Sequence, residues 1–135
     1  MAKIDAAKVW SLNYRLLMTV IASVSENIAA LGLEMKELFV LAEIDEHPHP
    51  PDLATTLCMP KPTVTVHLKT LEAAGFVRRE IDANDLRRHR LLVTAAGRKV
   101  LVKGLQHMSE AFGARLSRLS SAEQAELKRL LETLS

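Results

Sequence analysis

The stretch Lys61–Thr94 constrains the fold more than any other, because its periodicity changes once, from helical to strand-like, and each boundary is marked by a residue suited to it. Pro62 fits a first helical turn, where its missing N–H costs no ladder bond. Val64, Leu68 and Leu71 recur at three- and four-residue steps, the spacing of one helix face. Gly75 supplies the left-handed residue that ends a helix. Phe76–Ile81 has strand composition, and Asp82-Ala83-Asn84-Asp85 is turn chemistry, because Asp and Asn side chains bond their own backbone. Arg88–Val93 reads as the returning strand. The stretch is therefore one helix followed by one β-hairpin. Lys61, Thr63, Thr65, His67 and Lys69 are assigned to the helix face opposite the apolar stripe, and Arg87, Arg88 and Arg90 to the hairpin. A polar helix beside a basic ribbon is the shape of a reader of double-stranded DNA.

The remainder is helical and aliphatic. The chain has 135 residues, of which 48% are apolar and only 4% aromatic, enough for one domain with an oligomerising extension. A first helix is expected over residues Ala6 to Ala30, with Trp10, Leu17, Val20, Ile21, Val24 and Ile28 on its stripe and Leu12 and Leu16 widening it. A second is expected over Glu34 to Asp45, with Met35, Leu38, Phe39 and Ala42 inward. After the stiff connector His47-Pro48-His49-Pro50-Pro51, a short helix turns Leu53, Ala54 and Leu57 to the core. Thr94 is a good N-cap for a long helix, and Ser120-Ser121-Ala122-Glu123 is a capping-box signature for a last one. Leu101, Leu105, Met108, Phe112, Leu116 and Leu119 stripe the first of these, and Leu127, Leu130, Leu131 and Leu134 the second. These terminal helices are too apolar to cover one small lobe, and a two-fold dimer in which they interdigitate solves the excess. The fold class is thus mainly α with a small β-hairpin wing: a winged helix-turn-helix over residues 31–94, flanked by dimerising helices at 1–30 and 95–135.

Charge is distributed to match. Between Lys61 and Lys103 there are ten Lys or Arg against four Asp or Glu, whereas between Glu26 and Asp52 seven acids face Lys36 alone. That focuses positive potential on the helix and wing, as a phosphate-binding surface requires.

The segments PTVTVHLKTLEAAGFVRRE and DANDLRRHRLLVTAAGRKVL resemble the winged helix-turn-helix of MarR-type transcriptional regulators. Leu31-Gly32-Leu33, Asp52-Leu53-Ala54 and Thr94-Ala95-Ala96-Gly97 are supporting landmarks, and the wing pattern at Asp82, Asp85 and Arg87 is the most specific part. The resemblance implies a homodimer with an all-helical base and two DNA-binding lobes. It implies that Arg87 enters the minor groove, with Asp85 holding that Arg or the turn, while Arg88 and Arg90 serve phosphates or a wing ion pair. His67 stands where the family often carries Arg. The resemblance also implies repression relieved by a small, often phenolic or lipophilic effector, with Trp10, Leu12, Leu16, Phe39, Met108 and Phe112 as candidate contacts.

Other chemistries find little support. No Ser-His-Asp spacing, paired-carboxylate loop, Gly-rich phosphate cradle or HExxH is present, so no enzyme is expected. His47 and His49 are too few for zinc, and no metal or cofactor is expected. The single Cys58 cannot form an internal disulfide and is expected to be buried and inert; with no apolar run near the ~18 residues of a membrane span and no signal-peptide layout, the cytoplasm is the expected compartment. The alternatives are a winged helix that binds protein only, or a regulator that responds through a thiol or a metal.

Overall fold

The computed structural model describes residues 3–135. In chain order the elements are α1 (Ala6–Ala30), α2 (Met35–Glu43), α3 (Pro50–Leu57), α4 (Lys61–Ala73), β1 (Val77–Ile81), β2 (His89–Val93), α5 (Ala95–Leu116) and α6 (Ser121–Leu134). They fall into two compact units: residues 25–105, and the chain up to Val24 together with Gln106–Ser135.

The unit of residues 25–105 holds most of the core. Leu38, Val40, Leu41 and Ile44 at the α2 end, Leu53 of α3 and Leu68 of α4 are fully buried, and Val64, Leu71, Val77 and Leu91 nearly so. The two strands pair antiparallel, from Val77 opposite Val93 to Ile81 opposite His89. Only Val77 and Leu91 of the hairpin are buried, so the wing is held at its base and projects beyond it.

Two inward faces differ from expectation. On α2, Met35, Phe39 and Ala42 are only half-buried; the core face is Glu37, Leu38, Val40 and Leu41, continued by Ile44. Both sides of this helix are apolar, so spacing alone did not choose between them. Leu57 of α3 is likewise half-buried. The second helix is also shorter than Glu34 to Asp45, because Glu34 is its N-cap: the Glu34 side chain and the Glu37 side chain each accept the other's backbone N–H.

The junction of α4, wing and α5 is a knot of local bonds. Gly75, at φ +79°, closes α4, and the Phe76 amide donates to the Leu71 carbonyl at 2.9 Å. Thr94 caps α5 as expected, its Oγ1 accepting from the Gly97 amide at 3.0 Å; the same hydroxyl donates to the Gly75 carbonyl at 2.6 Å. The Thr94 amide donates to the Phe76 carbonyl at 3.0 Å. Gly97 lies so close to that carbonyl that a Cβ there would sit 2.1 Å from the Phe76 oxygen. Farther along α5, Gly104 packs on Leu38, where a Cβ would meet a methyl at 2.6 Å. Arg98 makes two hydrogen bonds to Asp45, at 2.7 and 3.0 Å, which hold that carboxyl below the usual carboxylate range. Both side chains are about half exposed, so solvent screens the pair and it adds little to stability.

In the other unit, Asp5 caps α1 by accepting from the Ala7 and Lys8 amides at 3.0 and 3.2 Å. The predicted capping box at Ser120 and Glu123 starts α6, and Gln124 ties the turn by donating to the Leu116 and Leu119 carbonyls. Trp10 and Leu17, on the apolar stripe of α1, are 64% and 50% exposed in the single chain. Val9, Leu12, Tyr14 and Met18 on α1 and Leu130, Leu131 and Leu134 on α6 are exposed with them, and α6 buries no residue. No single helix among the described residues is long and apolar enough to cross a membrane.

The Gly97 contact is with backbone, which cannot rotate away as a side chain would. Gly97→Ala is therefore expected to lower the unfolding free energy by about 1–3 kcal/mol, the usual cost of overpacking. Urea denaturation checks this, and a midpoint equal to the parent's would contradict the close approach of α5 to the wing base.

Candidate nucleic-acid interface

The orientation of α4 about its own axis decides which side chains a nucleic acid would meet. Pro60 is the N-cap and Pro62 falls in the first turn. Val64, Leu68 and Leu71 are buried. Each residue is rotated about 100° from its predecessor, so the outermost positions are Pro62, Val66, Lys69, Thr70 and Ala73, with Thr65 at their margin. All of these are exposed. Of the five residues assigned to that outward face, Lys69 is on it and Thr65 at its margin, while Lys61 is exposed in the first turn but lies towards the buried stripe. Thr63 is half-buried at its edge.

His67 is a correction. Its side chain is 12% exposed and turned inward, with Nδ1 3.8 Å from a carboxylate oxygen of Glu37, itself 7% exposed. His67 follows Val64 by three residues and precedes Leu71 by four, which puts it on the margin of the buried stripe. Taking every second residue from Lys61 to Lys69 follows a strand's period rather than a helix's, and for that reason it swept in His67 and missed Val66 and Thr70. His67 ties α4 to α2 instead of facing solvent.

The wing carries its charges as the sequence suggested, with more anchoring than expected. Asp82 Oδ1 accepts from the Asn84 amide at 2.8 Å, and the Asp82 amide donates to the Arg88 carbonyl at 2.9 Å. The Asn84 amide, with His49 and Arg88 nearby, holds the Asp82 carboxyl below its ordinary range. Asp85 Oδ1 accepts from both the amide and Nε of Arg87, at 3.0 and 3.3 Å, yet the Arg87 side chain remains 92% exposed. Arg88 lies 3.8 Å from Asp52 on α3, and both are about half exposed. Arg90 is exposed opposite Glu80. At the wing base Arg79 pairs with Glu72, and Arg78 with Glu80 at 2.9 Å.

The connector before α3 proves to be part of the wing. The Leu91 amide donates to the Pro48 carbonyl at 2.8 Å, so residues near Pro48 line the outer edge of β2. His49 Nδ1 is 3.2 Å from the His89 carbonyl, and its Nε2 is 3.2 Å from Asp82. One imidazole thus bridges the end of β1 and the start of β2. Nothing in the local sequence signals this, because the partners, Asp82 and His89, lie far along the chain, the second forty residues away.

The remaining candidates separate. Cys58 is exposed rather than buried. It ends α3 in the left-handed region at φ +53°, an uncommon place for a side chain other than Gly, Asn or Asp. Among the described residues, two groups have metal-ligand spacing, Glu34 with Glu37 and His67, and Glu43 with Glu46 and His47. In the first, Glu37 already serves the α2 cap and faces His67. Trp10 and Leu12 are exposed, while Leu16, Met108 and Phe112 are half-buried; Phe39, in the unit of residues 25–105, is half-buried too. The Trp10 and Tyr14 rings lie 6.1 Å apart.

With this geometry in view, the chain is similar to proteins of one kind. The MarR family model matches residues 33–89. The HTH-type transcriptional repressor Rv2887 of Mycobacterium tuberculosis is 32% identical over 133 residues, covering 96% of this chain and 95% of the relative. The repressor Mb2911 of Mycobacterium bovis matches equally. Among solved structures, Rv2887 with p-aminosalicylic acid superposes at a TM-score of 0.74 and 28% identity, covering 92% of this chain and 95% of that one. The regulator SlyA shares the fold at a TM-score of 0.82 and 20% identity, over 93% of this chain and 90% of that one.

His67→Ala tests the inward placement. Removing the imidazole leaves the Glu37 carboxylate buried with one partner fewer, and the unfolding free energy is expected to fall by about 1–3 kcal/mol. Thermal or urea unfolding reads it, and stability unchanged within error would return His67 to the outer face.

Proposed function

The chain belongs to the MarR family of transcriptional regulators, and on that premise we propose that it is a repressor whose homodimer binds a pseudo-palindromic operator in double-stranded DNA. One observation carries the reading: the exposed α4 side chains Lys61, Thr65 and Lys69 lie in the same unit as a wing whose Arg87 side chain is 92% exposed. Lys61, Lys69, Arg88 and Arg90 bind phosphates and set register, Thr65 touches base edges, and Arg87 enters a narrow minor groove. Asp85 holds the Arg87 side chain near the wing axis. Residues 31–94 act as the DNA lobe, and residues 1–30 and 95–135 as the dimer base. The exposed apolar side chains of α1 and α6 support that base, since a monomer would leave them in water.

A relative solved with p-aminosalicylic acid supports control by a small-molecule effector. Binding that favours a dimer with altered spacing between its two α4 helices would lower operator affinity by the difference in affinity for the two states. Trp10, Leu12, Leu16, Met108 and Phe112, and separately Phe39, are the proposed effector contacts. The protein acts in the cytoplasm and does no catalysis.

DNA selected by the purified protein from a random library is the test. Sedimentation at micromolar concentration should give a dimer, and footprinting should protect two half-sites about one helical turn apart, ~34 Å. A folded monomer, or a single unpaired half-site, would overturn the proposal. Arg87→Ala is expected to weaken binding to the selected site by about 1–3 kcal/mol at fixed salt, with circular dichroism unchanged. Parent-level affinity in that variant would remove the wing from the interface.

A further inference from the structure

The outermost position of α4 is apolar. Val66 is 61% exposed, diametrically across the helix from the buried stripe of Val64, Leu68 and Leu71. A lone exposed valine is ordinary, but this one has threonines on both sides whose hydroxyl hydrogens are already engaged. Thr65 Oγ1 donates to the Lys61 carbonyl at 3.0 Å, and Thr70 Oγ1 donates to the Val66 carbonyl at 3.2 Å. Within the helix these residues therefore offer methyl groups and acceptor lone pairs, not donors, to whatever lies in front. The segment contains no Arg, Asn or Gln, the side chains that read guanine or adenine by paired hydrogen bonds, and its only cations are Lys61 and Lys69. His67, half-buried, faces Glu37.

The apolar part of that surface, one isopropyl group with the threonine methyls, has one counterpart on the floor of a major groove. That is the 5-methyl group of a pyrimidine, which in unmodified DNA only thymine carries. We propose that α4 reads its half-site through thymine methyl groups, with Val66 as the specificity-determining residue and Thr65 and Thr70 at its sides. This rests on the reading of the protein as a DNA-binding regulator and adds which base feature it selects. Lys61 and Lys69 then set position along the backbone, and the apolar apex supplies discrimination against cytosine, adenine and guanine at the step it covers.

The experiment uses the full-length protein and the operator it selects from unmodified DNA. Thymines in the half-sites are replaced one position at a time by deoxyuracil, which removes the methyl and leaves the pairing intact. The replacement is made in both half-sites at once. At one or two positions affinity should fall about fourfold for each half-site, the effect of exposing one buried methyl. Val66→Ala, at an exposed site with little packing to lose, should bind the parent operator more weakly and be indifferent to uracil at that same position. If the protein binds its operator and no thymine methyl matters, or if Val66→Ala still distinguishes thymine from uracil, the inference is overturned while the regulator reading stands. If no duplex is bound above scrambled DNA, the regulator reading falls and this inference with it.

Discussion

The burial of Val64, Leu68 and Leu71 is the constraint on which the rest of the unit of residues 25–105 depends. A helix has one rotation about its axis that buries such a stripe, so sealing these three residues against the core fixes every outward side chain at once. Fully burying residues of this size contributes about 1.5–3 kcal/mol each, far more than any surface contact α4 makes. The His67–Glu37 contact reinforces the same rotation from the margin of the stripe. The outward face of α4 is thus set by what lies behind it, with Val66 near its centre and Lys69 beside it.

The wing is fixed to that helix by short-range chemistry. The Phe76 carbonyl accepts from the Thr94 amide and abuts Gly97, while the Thr94 hydroxyl spans from the end of α4 to the first turn of α5. Two connections so close to each other leave little freedom between α4 and the strands. His49 and Pro48 brace the far side of the hairpin. Arg87 thus projects into solvent from a braced hairpin, with its Nε 3.3 Å from Asp85.

Features written in local sequence were legible. The caps at Thr94 and Ser120, the stop at Gly75, the order of strand, turn and strand, and the bounds of α1 and α4 all depend on residues within a few positions of one another. What depends on rotation or distant partners was not. The core face of α2 was misread because both its sides are apolar. The outer face of α4 was misread because alternate residues were grouped, which hid Val66 and exposed His67. Cys58 was expected inside because free cysteines usually are, but the turn between α3 and α4 places it at the left-handed cap, in solvent. The His49 bridge joins residues forty positions apart, beyond any local pattern. The apolar surplus of the terminal helices was legible in amount, and Trp10 and Leu17 remain exposed on the single chain.

The rotation of α4 is tested most directly by moving an arginine around it. Val66→Arg and His67→Arg are each used to select binding sites from the same random DNA library, and the two consensus sequences are compared with the parent's. With Val66 outermost, Val66→Arg should select a half-site changed at one or two positions towards guanine, through the paired bonds an arginine makes to that base. His67→Arg should select the parent sequence, at reduced protein stability. A new consensus from His67→Arg, with the parent consensus kept by Val66→Arg, would contradict the orientation on which the reading face rests.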